Sequence, residues 1–287
     1  MVSGSPSQTQ LSPGSEKPLS EPVHTAPDKG GTTAPAIIEM QDVTTASMRD
    51  MNAIVLEHVN WTVAARDYWV VGGLQGSGKS DFMAMTGGLM PPRAGSYRLF
   101  GEPMPIFDEP RLKIRLRMAL VFETGQLFNH LTVRENIGLP LRYHKNLDQA
   151  DAFARVSEFL EALGLEAFAD STPGAMARNW QKRVALARAL ILEPDLLLLD
   201  APLTGLDLRH LNWWLKFMND LWRGHPLLRR PVTLVVTAAD LRPWRGRAHQ
   251  FATLRERHFE VLGTWQQVES ASSELVRELL AVEKQGN

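Results

Sequence analysis

Gly73-Leu74-Gln75-Gly76-Ser77-Gly78-Lys79-Ser80 sets a glycine five residues ahead of Gly-Lys-Ser. Residues of these types at this spacing frame a turn whose backbone N–H groups can surround a phosphate chain. In that reading Gly73, Gln75, Gly76, Ser77 and Gly78 form the cradle. Lys79 reaches the terminal phosphates, and the Ser80 hydroxyl ligates Mg²⁺. Such a site needs a second carboxylate at the end of a neighbouring strand to complete the shell of the metal ion. Asp200, which closes the run Leu196-Leu197-Leu198-Leu199, meets that need.

The elements around the loop must aim it. Tyr68-Trp69-Val70-Val71 is a short apolar, β-prone run before the loop, and Asp81-Phe82-Met83-Ala84-Met85 reads as the first turns of a helix after it. Strand, loop and helix N-terminus in that order bring the loop donors and the positive end of the helix dipole to one anion. Ile54–Val63, ahead of the Tyr68–Val71 run, reads as strands leading to it; after the loop helix, Pro91–Gly95 reads as a turn, Ser96–Gly101 as a strand running into a turn, and Met118–Phe122 as a strand. Helices are expected over Thr132–Leu139, Ala150–Leu163, Gln181–Leu192 and Leu208–Trp222, with a buried strand over Val232–Val236. Phe251–Leu254 and His258–Gly263 read as paired strands, and Ser270–Lys284 as a terminal helix. This alternation predicts an α/β fold with a mainly parallel sheet. The basic runs Arg111–Arg117 and Arg242–Arg247 read as solvated faces.

Bulk properties narrow the function. The 287 residues are 44% apolar and 22% charged, ordinary for a globular chain, and a net charge of −1 speaks against a general polyanion binder. With no cysteine, disulfides, thiol catalysis and Cys-ligated zinc are excluded. The histidines form no cluster at metal-ligand spacing, so His58, His130 and His249 read as surface or core residues. No stretch approaches the 18 or more apolar residues of a membrane span, so any membrane link would come through a partner.

From about residue 37 to 270 the chain resembles the ATP-binding cassette (ABC) family, the nucleotide-binding subunits of ABC transporters. Val121–Phe128 followed by Leu131–Asn136 is similar to the family's glutamine loop and the start of its helical subdomain. Arg183–Leu190 is similar to the helix after its signature, Leu196–Pro202 to its Walker B strand, and Leu203–Asp207 to its D-loop. The stretch Leu131–His144 looks most like cassettes of Mce-type lipid transport systems.

Several positions depart from the family pattern. Where the family places its general base, directly after the Walker B aspartate, stands Ala201, whose methyl group cannot take a proton from water. Ala238-Ala239-Asp240 replaces the switch histidine, and Glu123 the loop glutamine. A carboxylate at 123 can still ligate Mg²⁺. The signature falls on Met176-Ala177-Arg178-Asn179, without its serine and glycines, and Arg178 either contacts phosphate or marks loss of that site. Asp81 stands where a hydroxyl residue often meets the α-phosphate and so weakens the anion site.

The resemblance implies a P-loop cassette over residues 37–270, with a mainly parallel core sheet, an antiparallel β subdomain and a helical subdomain at about 125–180. A disordered Pro/Ser-rich tail is expected over 1–36 and a C-terminal helical segment over 271–287. The implied cofactors are ATP and Mg²⁺, with Gly73, Gln75, Gly76, Ser77, Gly78, Lys79, Ser80 and Asp81 at the nucleotide and Ser80, Asp200 and Glu123 at the metal. The implied partners are a membrane permease and a second cassette, as homodimer or heterodimer, with no nucleic acid; the implied place is cytoplasmic, peripheral to the inner face of the membrane. Hydrolysis is expected to be weak or lost, since in a head-to-tail dimer the missing base and the missing signature fall in different sites. The alternative is a non-hydrolysing partner of an intact cassette.

Overall fold

The computed structural model describes Met1, residues 35–104 and residues 109–281. The tail expected over 1–36 lies outside these residues apart from its ends, and Ala36 already belongs to the first strand. Two long strands, β1 (Ala36–Ala46) and β2 (Ile54–Ala64), lead to the short β3 (Tyr68–Gly72) and the helix α1 (Lys79–Thr86). Then come β4 (Ala94–Leu99), β5 (Glu102–Pro103), the one-turn α2 (Leu112–Arg115) and β6 (Met118–Val121). A helical stretch follows: α3 (Val133–Lys145), α4 (Gln149–Leu163) and α5 (Arg178–Leu190). The chain closes through β7 (Leu196–Leu199), α6 (Leu208–Arg223), β8 (Thr233–Ala238), β9 (Gln250–Arg255), β10 (His258–Gly263), α7 (Trp265–Ser270) and α8 (Glu274–Leu280).

The strands form a four-stranded sheet in the order β2-β1-β4-β5 and a six-stranded sheet in the order β10-β9-β3-β8-β7-β6. In the larger sheet β6, β7, β8, β3 and β9 run parallel and only β10 is antiparallel. Continuous apolar strands are what a parallel sheet covered on both faces requires, and the side chains alternate accordingly. Tyr68, Val70, Leu197, Leu199, Leu234 and Val236 enter one core with α3, α4, α5 and α6. Trp69, Val71, Leu196, Leu198 and Val235 enter a second core with α1 and the antiparallel sheet. The leucine run is therefore a fully buried parallel strand, each alternate leucine serving a different core.

Three expectations are corrected. α3 does not stop at Leu139 but continues through Pro140 to Lys145. Proline removes one helical N–H and crowds the carbonyl four residues back. Burial of Val133, Ile137 and Leu141 along one face, with a capping box between Thr132 and Glu135, holds the helix across that break. The helix expected over Ser270–Lys284 starts later: Ser270 ends a separate short helix, α7, capped by Thr264 with Gln267, the chain extends at Ala271, and α8 runs only from Glu274 to Leu280. Val268, Leu275, Val276 and Leu279 bury both pieces on the core, and residues beyond 281 lie outside the described ones. The basic runs are not simply solvated. Arg115 donates to Gly88 O at 3.1 Å and Arg117 pairs with Asp195 at 2.6 Å. Arg242 pairs with Asp240 at 2.7 Å, Arg245 with Glu269 at 2.8 Å, and Arg247 donates to Pro243 O at 3.0 Å.

Candidate nucleotide site

Strand order brings the site together. β3 and β7 both flank β8, with Val71 opposite Thr237 and Leu199 opposite Val236. The loop after β3 and the carboxylate after β7 thus emerge at one edge of the sheet. Gly76 (φ 80°) and Gly78 (φ 91°) take left-handed backbone that side chains resist. A Cβ on Gly73 would overlap Ser77 Oγ, and one on Gly78 would overlap the Val55 Cγ1 methyl. Gln75 and Gly76 are exposed, and Ser80, the second residue of α1, is exposed as well.

The Lys79 ammonium donates to Gly73 O and Leu74 O, each at 2.6 Å, and so spans its own loop. Burial pushes its pKa below the ordinary lysine value, while the carboxylates of Asp200 and Glu123 pull it back. Asp200 is 3% exposed. Its Oδ1 accepts from the Thr237 hydroxyl at 2.7 Å, and that hydroxyl oxygen in turn accepts the Ala201 N–H at 2.8 Å. Ala201 itself sits at φ 44°. Ala238 O accepts from Gly73 N–H at 3.0 Å, so the segment that reads Ala238-Ala239-Asp240 lies against the loop. Asp81 Oδ1 accepts from Met48 N–H at 2.7 Å and ties the turn between β1 and β2 to the first turn of α1.

The structure gathers Gly73 to Asp81, Asp200 and, through its field on Lys79, Glu123. Glu123 is exposed. The substituted signature segment lies at the start of α5: Ala177 is the residue before the helix, with no capping hydrogen bond, and Arg178 is its first. Three residues escaped the sequence reading. Thr237 bridges Asp200 and Ala201. Lys182 Nζ donates to Thr204 O at 2.7 Å, with Pro202 O at 3.4 Å and Ala201 O at 3.5 Å. Arg188 Nη2 donates to Gly125 O at 3.0 Å and Gln126 O at 2.9 Å. Burial lowers the pKa of both cations. The signal for them is slight: basic residues in a helix that is otherwise mostly buried.

These residues fit a magnesium nucleotide. Ser77 Oγ is a buried polar atom with no partner in the loop, and the Lys79 ammonium is held by two carbonyls that phosphate oxygens can replace. Among the described residues no three His, Cys, Asp or Glu converge on a metal by themselves, so Ser80, Asp200 and Glu123 would hold Mg²⁺ together with phosphate oxygens. Bound there, Mg²⁺ neutralises phosphate charge. Among the described residues no helix is long and apolar enough to cross a membrane.

Comparison with known proteins agrees with this geometry. The profile of the ABC transporter family matches residues 56–204. The intermembrane phospholipid transport system ATP-binding protein MlaF of Escherichia coli (strain K12) is 32% identical over 186 residues, 64% of this chain and 68% of MlaF. The sulfate/thiosulfate import ATP-binding protein CysA of Mycolicibacterium paratuberculosis is 31% identical over 214 residues, 74% of this chain and 56% of CysA. Among solved structures, the dimeric post-hydrolysis state of the ATP-binding cassette MJ0796, bound to ADP and Pi, superimposes with a TM-score of 0.69 at 26% identity, over 79% of this chain and 100% of that one. With a family match over residues 56–204, which takes in both the 73–80 loop and Asp200, and the likeness to MlaF, the chain belongs to the ABC transporter family.

Proposed function

We propose that this chain binds Mg-ATP at the 73–81 loop and serves as the nucleotide-binding subunit of a membrane transporter, with ATP hydrolysis weak or lost. One observation carries the reading: the Asp200–Thr237–Ala201 bridge. It holds the buried Asp200, the carboxylate that would bind the metal, beside Ala201, whose methyl group stands at the position of the family's general base. General-base catalysis is worth about 10²–10⁴ in rate. Ala177 and Arg178 at the start of α5, and Ala238 and Ala239 beside the loop, support the same conclusion. Lys79 binds the terminal phosphates, Ser80 and Asp200 orient the metal, and Glu123 completes its shell. The likeness to MlaF supports a lipid-transport setting, with a permease as the membrane partner and a second cassette completing a dimer.

A second reading, a regulatory partner of an intact cassette, is favoured by the same substitutions and differs only in what hydrolyses ATP. Calorimetric titration of Mg-ATP into the full chain beside Lys79→Ala tests the reading. Binding that disappears in the variant supports it; wild-type protein that binds no nucleotide refutes it.

A further inference from the structure

α5 carries the buried cations Lys182 and Arg183 and the half-buried Arg188, and none of the three forms an ion pair with a carboxylate among the described residues. A buried charge without a counter-ion is costly unless its donors are satisfied. Lys182 and Arg188 both find backbone carbonyls instead, and the two sets of carbonyls are telling. Arg188 grips Gly125 and Gln126, consecutive left-handed residues at φ 75° and φ 45°. Lys182 reaches the 201–204 segment, whose first residue, Ala201, is left-handed at φ 44°. A non-glycine residue in this region costs on the order of 1–3 kcal/mol and persists only where its surroundings hold it. Each cation therefore holds a strained loop, and each loop follows one of the two carboxylates assigned to the metal, Glu123 after β6 and Asp200 after β7. Both carboxylates act on Lys182 as well as on Lys79.

We infer that Lys182 and Arg188 are positioning residues: α5 spans the two loops and fixes the placement of Glu123 relative to Asp200, and so sets the Mg²⁺ affinity of the site. This rests on the Mg-ATP reading above.

The test is titration of Mg²⁺ against a fluorescent ATP analogue on the full chain, for wild type, Arg188→Met, Lys182→Met and the conservative Arg188→Lys and Lys182→Arg. Loss of a group that orients a metal ligand typically costs about 10–100-fold in metal affinity. The methionine variants are expected to need about that much more Mg²⁺ for half-maximal binding. Analogue affinity in EDTA should stay unchanged, and the conservative variants should recover part of the loss. An equal change with and without Mg²⁺, or no change, overturns the inference. Wild-type protein that shows no Mg²⁺-dependent binding would instead refute the Mg-ATP reading. In that event amide exchange at Thr124–Leu127 in the nucleotide-free chain decides: faster exchange in Arg188→Lys supports the clamp, and unchanged exchange overturns it.

Discussion

Thr237→Val is the sharpest probe of how the site is built. Threonine and valine have nearly the same shape, so the change removes the hydroxyl without opening a cavity at a fully buried position. Two bonds go with it: the 2.7 Å donation to the Asp200 carboxylate and the 2.8 Å bond from Ala201 N–H. A hydrogen bond to a charged group contributes about 1.5–3 kcal/mol and a neutral one about 0.5–1.5 kcal/mol, so the expected loss is about 2–4.5 kcal/mol. That is a large share of the roughly 5–15 kcal/mol that stabilises a typical native domain. Thr237→Ser keeps both bonds and gives up one methyl group, about 1 kcal/mol. Urea denaturation measures both variants. The account expects a lower midpoint at unchanged slope, with the valine variant the less stable by at least about 1 kcal/mol. Equal midpoints for valine and serine would refute the bridge as a stabilising element.

Other consequences follow from the loop and from the titrating groups. Asp81→Asn keeps an acceptor for Met48 N–H but removes a charge beside the phosphate site. Two unit charges about 4 Å apart in water repel by about 1 kcal/mol, so ATP should bind about fivefold tighter; unchanged or weaker binding in calorimetry would count against a repulsive role. Gly78→Ala combines strain at φ 91° with overlap on Val55. It should cost about 2–5 kcal/mol in chemical denaturation, of which about 1–2 kcal/mol persists when the change is made in a Val55→Ala background. An undiminished cost in that background would show that Val55 is not the obstacle. Burial holds the imidazoles of His210, His225 and His144 below their ordinary value. As pH falls below about 6.5 the unfolded chain takes up protons that the folded chain does not. Stability is thus lost from there down through the lowered folded values. Exposed His58, held up by Asp42, acts in the opposite sense. His210→Gln should make the acid decline shallower in melting scans from pH 7 to 5, and an identical decline would contradict the assignment.

Much of the fold was legible because the signals were local. The shortness and flanking prolines of the leucine run favour the strand covered on both faces that β7 is, and the glycines at 73, 76 and 78 mark the turn. Pro140 misled because a proline normally ends a helix, and only tertiary burial of Ile137 and Leu141 carries α3 past it. The split between α7 and α8 was hidden because no proline or glycine marks Ala271–Ser273. The site's supporting residues were illegible for a different reason. Lys182 and Arg188 bind backbone carbonyls, which have no sequence identity, at separations of 22 and 62 residues for Thr204 and Gln126. Thr237 meets Asp200 across 37 residues, through the pairing of β7 with β8. Chemistry made by side chains could be read from the chain, whereas chemistry made by side chain on backbone needed the fold.

The most direct test of the central claim is ATP turnover by the full chain with Mg²⁺, read as phosphate release beside Lys79→Ala. The account predicts nucleotide bound through Lys79 and phosphate release no faster than in the variant, because Ala201 offers no base. Release clearly above the variant would contradict it, and Glu123, the carboxylate whose field reaches Lys79, would then be the first group to replace.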